Sequence, residues 1–273
     1  MVTQMNPNSH PWPQKEIKKI NKTLENSRFG PVTYVAETGS TNTDLLNEIG
    51  EKASDGMVLV AGHQKTGRGR LERQWEAPPG TNLLFSILLH PRIEVERMPL
   101  LTPALAVSLI DVLERHGLPA GMKWPNDVHL TGDPSGKVAG ILAEVGNAEI
   151  PAVVVGMGCN VAWPSIKIPE LPDAVSILAA GKNIQPSELL LEILLSFEKY
   201  LTLLEQSQGP NKLRELFLKK SVTIGKKVSV QQPNKTITGQ AVDLSVNGAL
   251  IVENSDGQHH IMVGDVMHLY FDN

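Results

Sequence analysis

Apolar positions recur along this chain at helical spacing in some segments and as short unbroken or alternating runs in others. Ile17, Ile20 and Leu24 predict a helix over 14–27, stopped by Gly30 and Pro31. VTYVAE (32–37), MVLVAG (57–62) and NLLFSILLH (82–90) read as strands, the last apolar over almost its whole length. TGSTNTDLLNEIG reads as a turn leading into a helix, and PLLTPALAVSLIDVLERHG (99–117) as a helix closed by Gly117. Three strand-like pieces follow: GMKWPNDVHL (121–130), broken at Pro125, KVAGILAEV (137–145) and PAVVVGMGCNVAW (151–163). Helical periodicity returns over 186–206 and 210–220. Near residue 221 the texture changes to short alternating strands with turn signals at Asn247-Gly248 and Asp256-Gly257, which predicts a small β-barrel. The division expected is a polar, Pro-rich tail and helix over 1–30, a main domain over 31–221 and the barrel over 222–273.

Composition narrows the class. The chain has 273 residues, enough for one substantial domain and a small one, and its 41% hydrophobic content can bury a core without staples. Its one cysteine, Cys159, excludes a disulfide framework and a Cys-rich zinc site and suits a reducing, cytoplasmic compartment. The first residues lack an apolar signal-peptide region, and the longest largely apolar run, LLTPALAVSLIDVL, is too short to span a bilayer. A net charge of -4 argues against a protein that mainly grips duplex DNA, and 4% aromatic residues argue against a single-strand binder that needs stacking platforms.

Against that acidic background, HQKTGRGRLERQW packs Lys65, Arg68, Arg70 and Arg73 around Gly67 and Gly69. It is not a dinucleotide fingerprint, because Glu72 stands at the third glycine position and no helix start follows; nor is it a Walker A loop. The glycines let backbone N–H groups turn toward a ligand, and the arginines offer planar donors for phosphate or carboxylate; the alternative is a solvated basic loop. Ser40, Thr41 and Asn42 stand at a helix start, either as a plain N-cap or as hydroxyl and amide groups reading a polar ligand. In KWPNDV, Asp127 could pair with Lys123, hold Mg²⁺ or make an Asx turn. Lys137 opens an apolar strand, pointing either into a cleft or to solvent. Gly140, Gly156 and Gly158 interrupt strands, as a close ligand or a pair of bulges would require.

Taken in order, STN, HQKTGRGRxxRxW with a following GTNLxxS, KWPND, GKxAGILxE and VxGMGCNV resemble the biotin protein ligase family over about residues 33–270. The resemblance implies an α+β fold: a mixed β-sheet catalytic domain with helices on one face, plus a C-terminal SH3-like β-barrel. It implies that ATP activates biotin to biotinyl-5′-adenylate and that biotin then passes to a lysine of a biotin carboxyl carrier protein. ATP and Mg²⁺ would act as substrate and activator, with no tightly bound cofactor. By similarity, Ser40, Thr41, Asn42 and Gln64 would read the ureido end of biotin, with Gly67, Arg68, Gly69 and Arg70 covering it. Gly140, Ile141, Gly156 and Gly158 would form the wall beneath. Lys137, Arg70 and Arg73 would be the catalytic cations; Trp75, Lys123, Asn126 and Asn160 would serve the nucleotide with Arg70 and Arg73; Asp127 would hold the metal. Two departures stand out. Glu72 replaces an expected glycine, adding charge and removing a hinge. About thirty residues precede the first core strand, too few for the winged helix-turn-helix of some relatives, so no DNA binding is expected. No membrane partner is expected either, and a homodimer is allowed. Lipoate ligase is the nearest competing reading.

Overall fold

The computed structural model describes residues 12–49, 54–146, 151–162 and 173–269, with Glu72 described in its backbone alone. Most of the expected tail and the end of the 151–163 piece lie outside these residues.

The main sheet has seven strands in the order β1-β2-β3-β7-β6-β5-β4. They are β1 (Val32–Val35), β2 (Val58–Ala61), β3 (Asn82–Leu89), β4 (Ala120–Lys123), β5 (Asp127–Leu130), β6 (Gly136–Gly146) and β7 (Ala152–Asn160). Only β1 and β2 pair in parallel, so the sheet is mixed. The largely apolar sequence of β3 follows from its interior place in the sheet, where all eight of its residues are buried.

On one face lie α1 (Gln14–Thr23), α3 (Leu101–Arg115), α4 (Pro186–Leu204) and α5 (Gly209–Lys220). α3 buries eleven of its fifteen residues because α4 and α5 cover its outer side, which explains the lack of a clean polar stripe in its sequence. The expected 99–117 helix is split: residues 95–100 form a 3₁₀ turn containing Pro99, and the α-helix begins at Leu101. The opposite face carries α2 (Thr41–Glu48), whose Leu45 joins Leu59, Leu88, Ala152 and Val154 in a separate small apolar cluster. The helices thus pack on one face as expected, with the short α2 on the other, leaving the remainder of that second face for a cavity.

The C-terminal sheet contains β8 (Lys227–Gln231), β9 (Thr236–Leu244), β10 (Leu250–Asn254), β11 (Gly257–Ile261) and β12 (Asp265–His268), all antiparallel in the order β11-β10-β9-β8-β12. Gly248 and Gly257 take φ of 88° and 111° in the turns that Asn-Gly and Asp-Gly mark. The apolar core is continuous with that of the main sheet. Buried Trp124 joins the two sheets: its Nε1–H donates to Gly248 O at 3.0 Å, and its backbone N–H donates to Thr223 Oγ1.

Trp124→Phe keeps most of the packing and orphans the Gly248 carbonyl. The expected cost is about 1–2 kcal/mol, read as a lower urea midpoint at unchanged m-value; a midpoint equal to the parent's would contradict this role.

Candidate active site

Two neighbouring strands, β6 and β7, place glycines side by side on the α2 face. Gly156 on β7 lies opposite Leu142 of β6 and Ser86 of β3, while Gly158 lies opposite Gly140 of β6 and Leu84 of β3. No side chain projects from the sheet at these glycines, and side chains from elsewhere already fill the space. A Cβ on Gly158 would come within 2.4 Å of the Trp75 ring, and one on Gly156 within 2.1 Å of Asn42 Oδ1. A cavity of about 340 Å³ results. Of the residues singled out in the sequence, it is lined by Ser40, Thr41, Asn42, Gln64, Arg68, Gly69, Arg70, Arg73, Trp75, Lys123, Asn126, Asp127, Lys137, Gly140, Ile141, Gly156, Gly158 and Asn160. Gly67 lies just outside it, in an adjoining groove, where its carbonyl accepts from the Trp75 N–H at 2.9 Å.

At one end the lining is polar. Ser40 is the N-cap of α2, but its hydroxyl makes no capping bond. Thr41 and Asn42, in the first turn of α2, reach the cavity floor. Gln64 Oε1 accepts from both the N–H and the hydroxyl of Thr41 at 2.8 and 2.9 Å. Thr41 Oγ1 lies 2.6 Å from Ser86 Oγ, which in turn lies 2.6 Å from Asn42 Oδ1. The Asn42 amide is fixed with its oxygen toward Ser86, because its Nδ2 donates to Leu142 O and Glu144 Oε2. Three oxygen–oxygen contacts are therefore served by two hydroxyl hydrogens, one on Thr41 and one on Ser86. The polar end is one hydrogen short, a condition that a ligand with N–H donors relieves.

The other end is charged. Lys137 reaches it because of a register shift between β5 and β6 at Val128/His129. That irregularity turns Lys137 onto the same face as Gly140, three residues on, which strict alternation would forbid. Its Nζ lies 2.8 Å from Asp127 Oδ1 and 5.4 Å from the Trp75 ring centroid. Asp265 of β12, far away in sequence, pairs with Arg73 and lies 3.9 Å from Arg70. Arg70 Nη1 also approaches Asn126 Oδ1 and Gly264 O. Burial lowers the Arg70 pKa, opposed by the charges of Asp265 and Asp127. Asn160 is committed elsewhere: its amide donates to Lys137 O and Val175 O and accepts from Asn82 Nδ2, so it frames the cavity without a spare donor. Lys123 lines the same end.

The basic loop crosses the mouth between these ends. Arg68 holds Glu144 through contacts of 2.7 and 2.6 Å, and Trp75 lies over Gly140 and Gly158 with its Nε1–H buried and unpartnered. Between them Leu71, more than half exposed, takes a left-handed conformation at φ 53°, which costs a non-glycine residue about 1 kcal/mol or more. Sequence reasoning missed Ser86, Glu144 and Asp265 as site residues. Ser86 closes the quoted GTNLxxS stretch but was given no role there, and nothing in the local pattern marked Asp265.

Taken together, the fold and the site define a small-molecule enzyme pocket with a polar and a cationic end, on a mixed sheet buttressed by a barrel. Residues 34–160 match the Biotin/lipoate A/B protein ligase family, and residues 223–269 match the Biotin protein ligase C terminal domain. A biotin–[acetyl-CoA-carboxylase] ligase of Mycobacterium tuberculosis is 34% identical, covering 89% of this chain and 91% of its own. The bifunctional ligase/repressor BirA of Bacillus subtilis is 32% identical, covering 92% and 80%. A solved biotin protein ligase of Aquifex aeolicus, in complex with biotin and ATP, superposes with a TM-score of 0.75 at 29% identity over 88% of this chain and 98% of that one. The chain belongs to the biotin protein ligase family and is an enzyme of that class. Among the described residues, no helix is long and apolar enough to cross a membrane.

Two expectations follow from the geometry. Gly158→Ala displaces the Trp75 indole, so trypsin should cut after Arg73 several-fold faster than in the parent; equal cutting would show that Trp75 does not anchor the loop. His129, on β5 beside the charged end, is held neutral chiefly by burial and then by Lys123 and Lys137, which push its pKa down to about 4. A lowered folded pKa makes the unfolded chain bind the extra proton first, so this contribution is present above pH ~6.5 and is lost as pH falls from there toward 4. Urea titrations of the parent and of His129→Gln across that range should converge as pH falls; parallel curves would contradict it.

Proposed function

We propose that this protein joins biotin to ATP as biotinyl-5′-adenylate and then transfers biotin to a lysine of a biotin carboxyl carrier protein. Residues 31–221 would form the catalytic domain and 222–273 the accessory barrel. The single observation that carries the reading is the missing hydrogen among Thr41, Ser86, Asn42 and Gln64. A ureido ring brings two N–H donors and a carbonyl to such a site, whereas the dithiolane of lipoate brings no donor at all. The pocket therefore favours biotin over lipoate on chemistry, since buried polar groups discriminate strongly against a ligand that leaves them unpaired.

With the ureido ring at the polar end, the bicycle would lie against the glycine strip, displacing the Trp75 ring from Gly140 and Gly158, and the valeryl chain would run toward Lys137. The first step is an attack of the biotin carboxylate oxygen on the α-phosphorus of ATP, breaking the bond to pyrophosphate. Both reactants are anions, and close cations offset their repulsion; a cation about 4 Å from a phosphate is worth up to ~4 kcal/mol at an effective dielectric near 20, before desolvation. Lys137 supports the carboxylate and α-phosphate, while Arg70 and Arg73 exchange Asp265 for the outgoing phosphates. Lys123 and Asn126 border the nucleotide, and the unpartnered Trp75 N–H offers it a donor.

The described residues contain no cluster of three or more His, Cys, Asp or Glu that could cage a metal. A magnesium ion needs only one or two carboxylates when phosphates complete its shell, and Asp127 fits that part. When bound, the ion would neutralise phosphate charge. In the second step the acceptor lysine amine attacks the acyl carbon of the mixed anhydride, AMP leaves, and the amine loses its proton. Arg68 and Trp75, pinning the loop across the mouth, would keep water from the anhydride in between. The buried free thiol of Cys159 suits the reducing cytoplasm proposed for this chemistry.

The test is incubation with Mg-ATP, an apo carboxyl-carrier domain and either biotin or lipoate, followed by the mass of the acceptor. The expected result is a biotinyl increment on one lysine and none from lipoate; a lipoyl increment, or neither, would overturn the reading. In the same assay Lys137→Ala should slow adenylate formation more than about tenfold, or ~1.4 kcal/mol. A rate within about threefold of the parent would remove Lys137 from its role.

A further inference from the structure

We propose that Glu144 is a positioning residue that couples occupation of the polar pocket to closure of the basic loop. This inference rests on biotin being the ligand of that pocket.

Glu144 sits near the outer end of β6, paired with Val154 of β7, and contributes no atom to the cavity lining. Its carboxylate faces two ways. Oε2 accepts from Asn42 Nδ2 at 2.8 Å, on the pocket floor. Both oxygens accept from Arg68 Nη2, at 2.7 and 2.6 Å, in the loop. The links already described complete a circuit: Gln64 to Thr41, Thr41 to Ser86, Ser86 to Asn42, Asn42 to Glu144 and Glu144 to Arg68. Gln64 and Arg68 belong to the same loop, four residues apart in sequence. The circuit thus leaves the loop, crosses the floor of the pocket and returns to the loop.

Two consequences follow from the donor count. First, Glu144 and Leu142 O each take one hydrogen of the Asn42 amide, which forces its oxygen toward Ser86. Without Glu144 the amide has one fewer reason to keep that orientation. Flipped, it would give Ser86 an N–H and supply the hydrogen that the ring lacks. Glu144 therefore maintains the demand for donors that selects the ligand. Second, a ligand that satisfies the ring locks Asn42 onto Glu144, and a fixed Glu144 is a better partner for Arg68. Ligand binding and loop closure then favour each other by the same factor, as linkage requires. The Arg68–Glu144 contact alone is a half-exposed ion pair of small intrinsic worth. Its effect comes from sharing a carboxylate with the pocket.

The experiment measures biotin affinity by calorimetry and trypsin cleavage after Arg68, Arg70 and Arg73, located by mass, in the full chain with and without biotin. The proteins are the parent, Glu144→Gln and Glu144→Ala. In the parent, biotin should slow cleavage at these sites by about tenfold, within the usual range of coupling. Glu144→Gln keeps an acceptor for Asn42 and loses the charge facing Arg68. It should lose most of the protection and, because closure and binding are reciprocal, bind biotin more weakly by about the same factor. Glu144→Ala also orphans one hydrogen of the Asn42 amide, so its protection should match that of Glu144→Gln while its affinity falls about tenfold further. A purely structural Glu144 would lower affinity in the variants with protection left at the parent's level, and that result would overturn the relay. Protection and affinity like the parent's in both variants would overturn the relay. A parent that binds no biotin would overturn the proposed function and the relay with it.

Discussion

A strip of sheet without side chains is the constraint on which the rest of this molecule depends. Gly140, Gly156 and Gly158 project no side chains from the middle of one sheet face, and Trp75 and Asn42 already stand within about 2–3 Å of any added Cβ. β3, β6 and β7 pair side by side along that strip, and their other face packs on the helices. The apolar core behind the sheet is therefore the support of the pocket. The barrel continues that core and brings Asp265 to the cavity from across the chain.

Charge is distributed to match. The basic loop is striking only in the sequence; in the fold its cations are already paired. Lys65 lies beside Glu37, Arg68 beside Glu144, and Arg73 beside Asp265, while Lys137 of β6 lies beside Asp127. These contacts offset the concentrated positive charge of the loop within an acidic protein. They also mean that an incoming anion competes with internal carboxylates. The gain on binding is then a difference between two sets of ion pairs, and it favours a ligand bearing several negative charges.

How much of this was legible in the sequence depends on the kind of signal. Gly140, Gly156 and Gly158 were readable as places of close approach because a glycine in a strand has few other uses. The change to barrel texture near residue 221 was readable from period and turn chemistry. The face on which Lys137 lies was not, because a bulge between β5 and β6 reverses simple alternation. Ser86 was hidden inside an apolar run, and its value comes from Thr41 and Asn42, which sequence distance conceals. Glu144 sat inside a recognised motif without a role, since its two partners come from a helix and a loop more than seventy residues away. The effect of Glu72, where a glycine was expected, rests on a side chain outside the described residues.

The central claim is that the polar end of the pocket lacks a hydrogen and takes its ligand for that reason. The direct measurement is calorimetric binding of biotin against biotin methylated on its ureido nitrogens, which keeps the ring and the carbonyl and removes the donors. The account predicts that methylation weakens binding by at least about tenfold, mostly in the enthalpy. Equal affinity for the two compounds would contradict it.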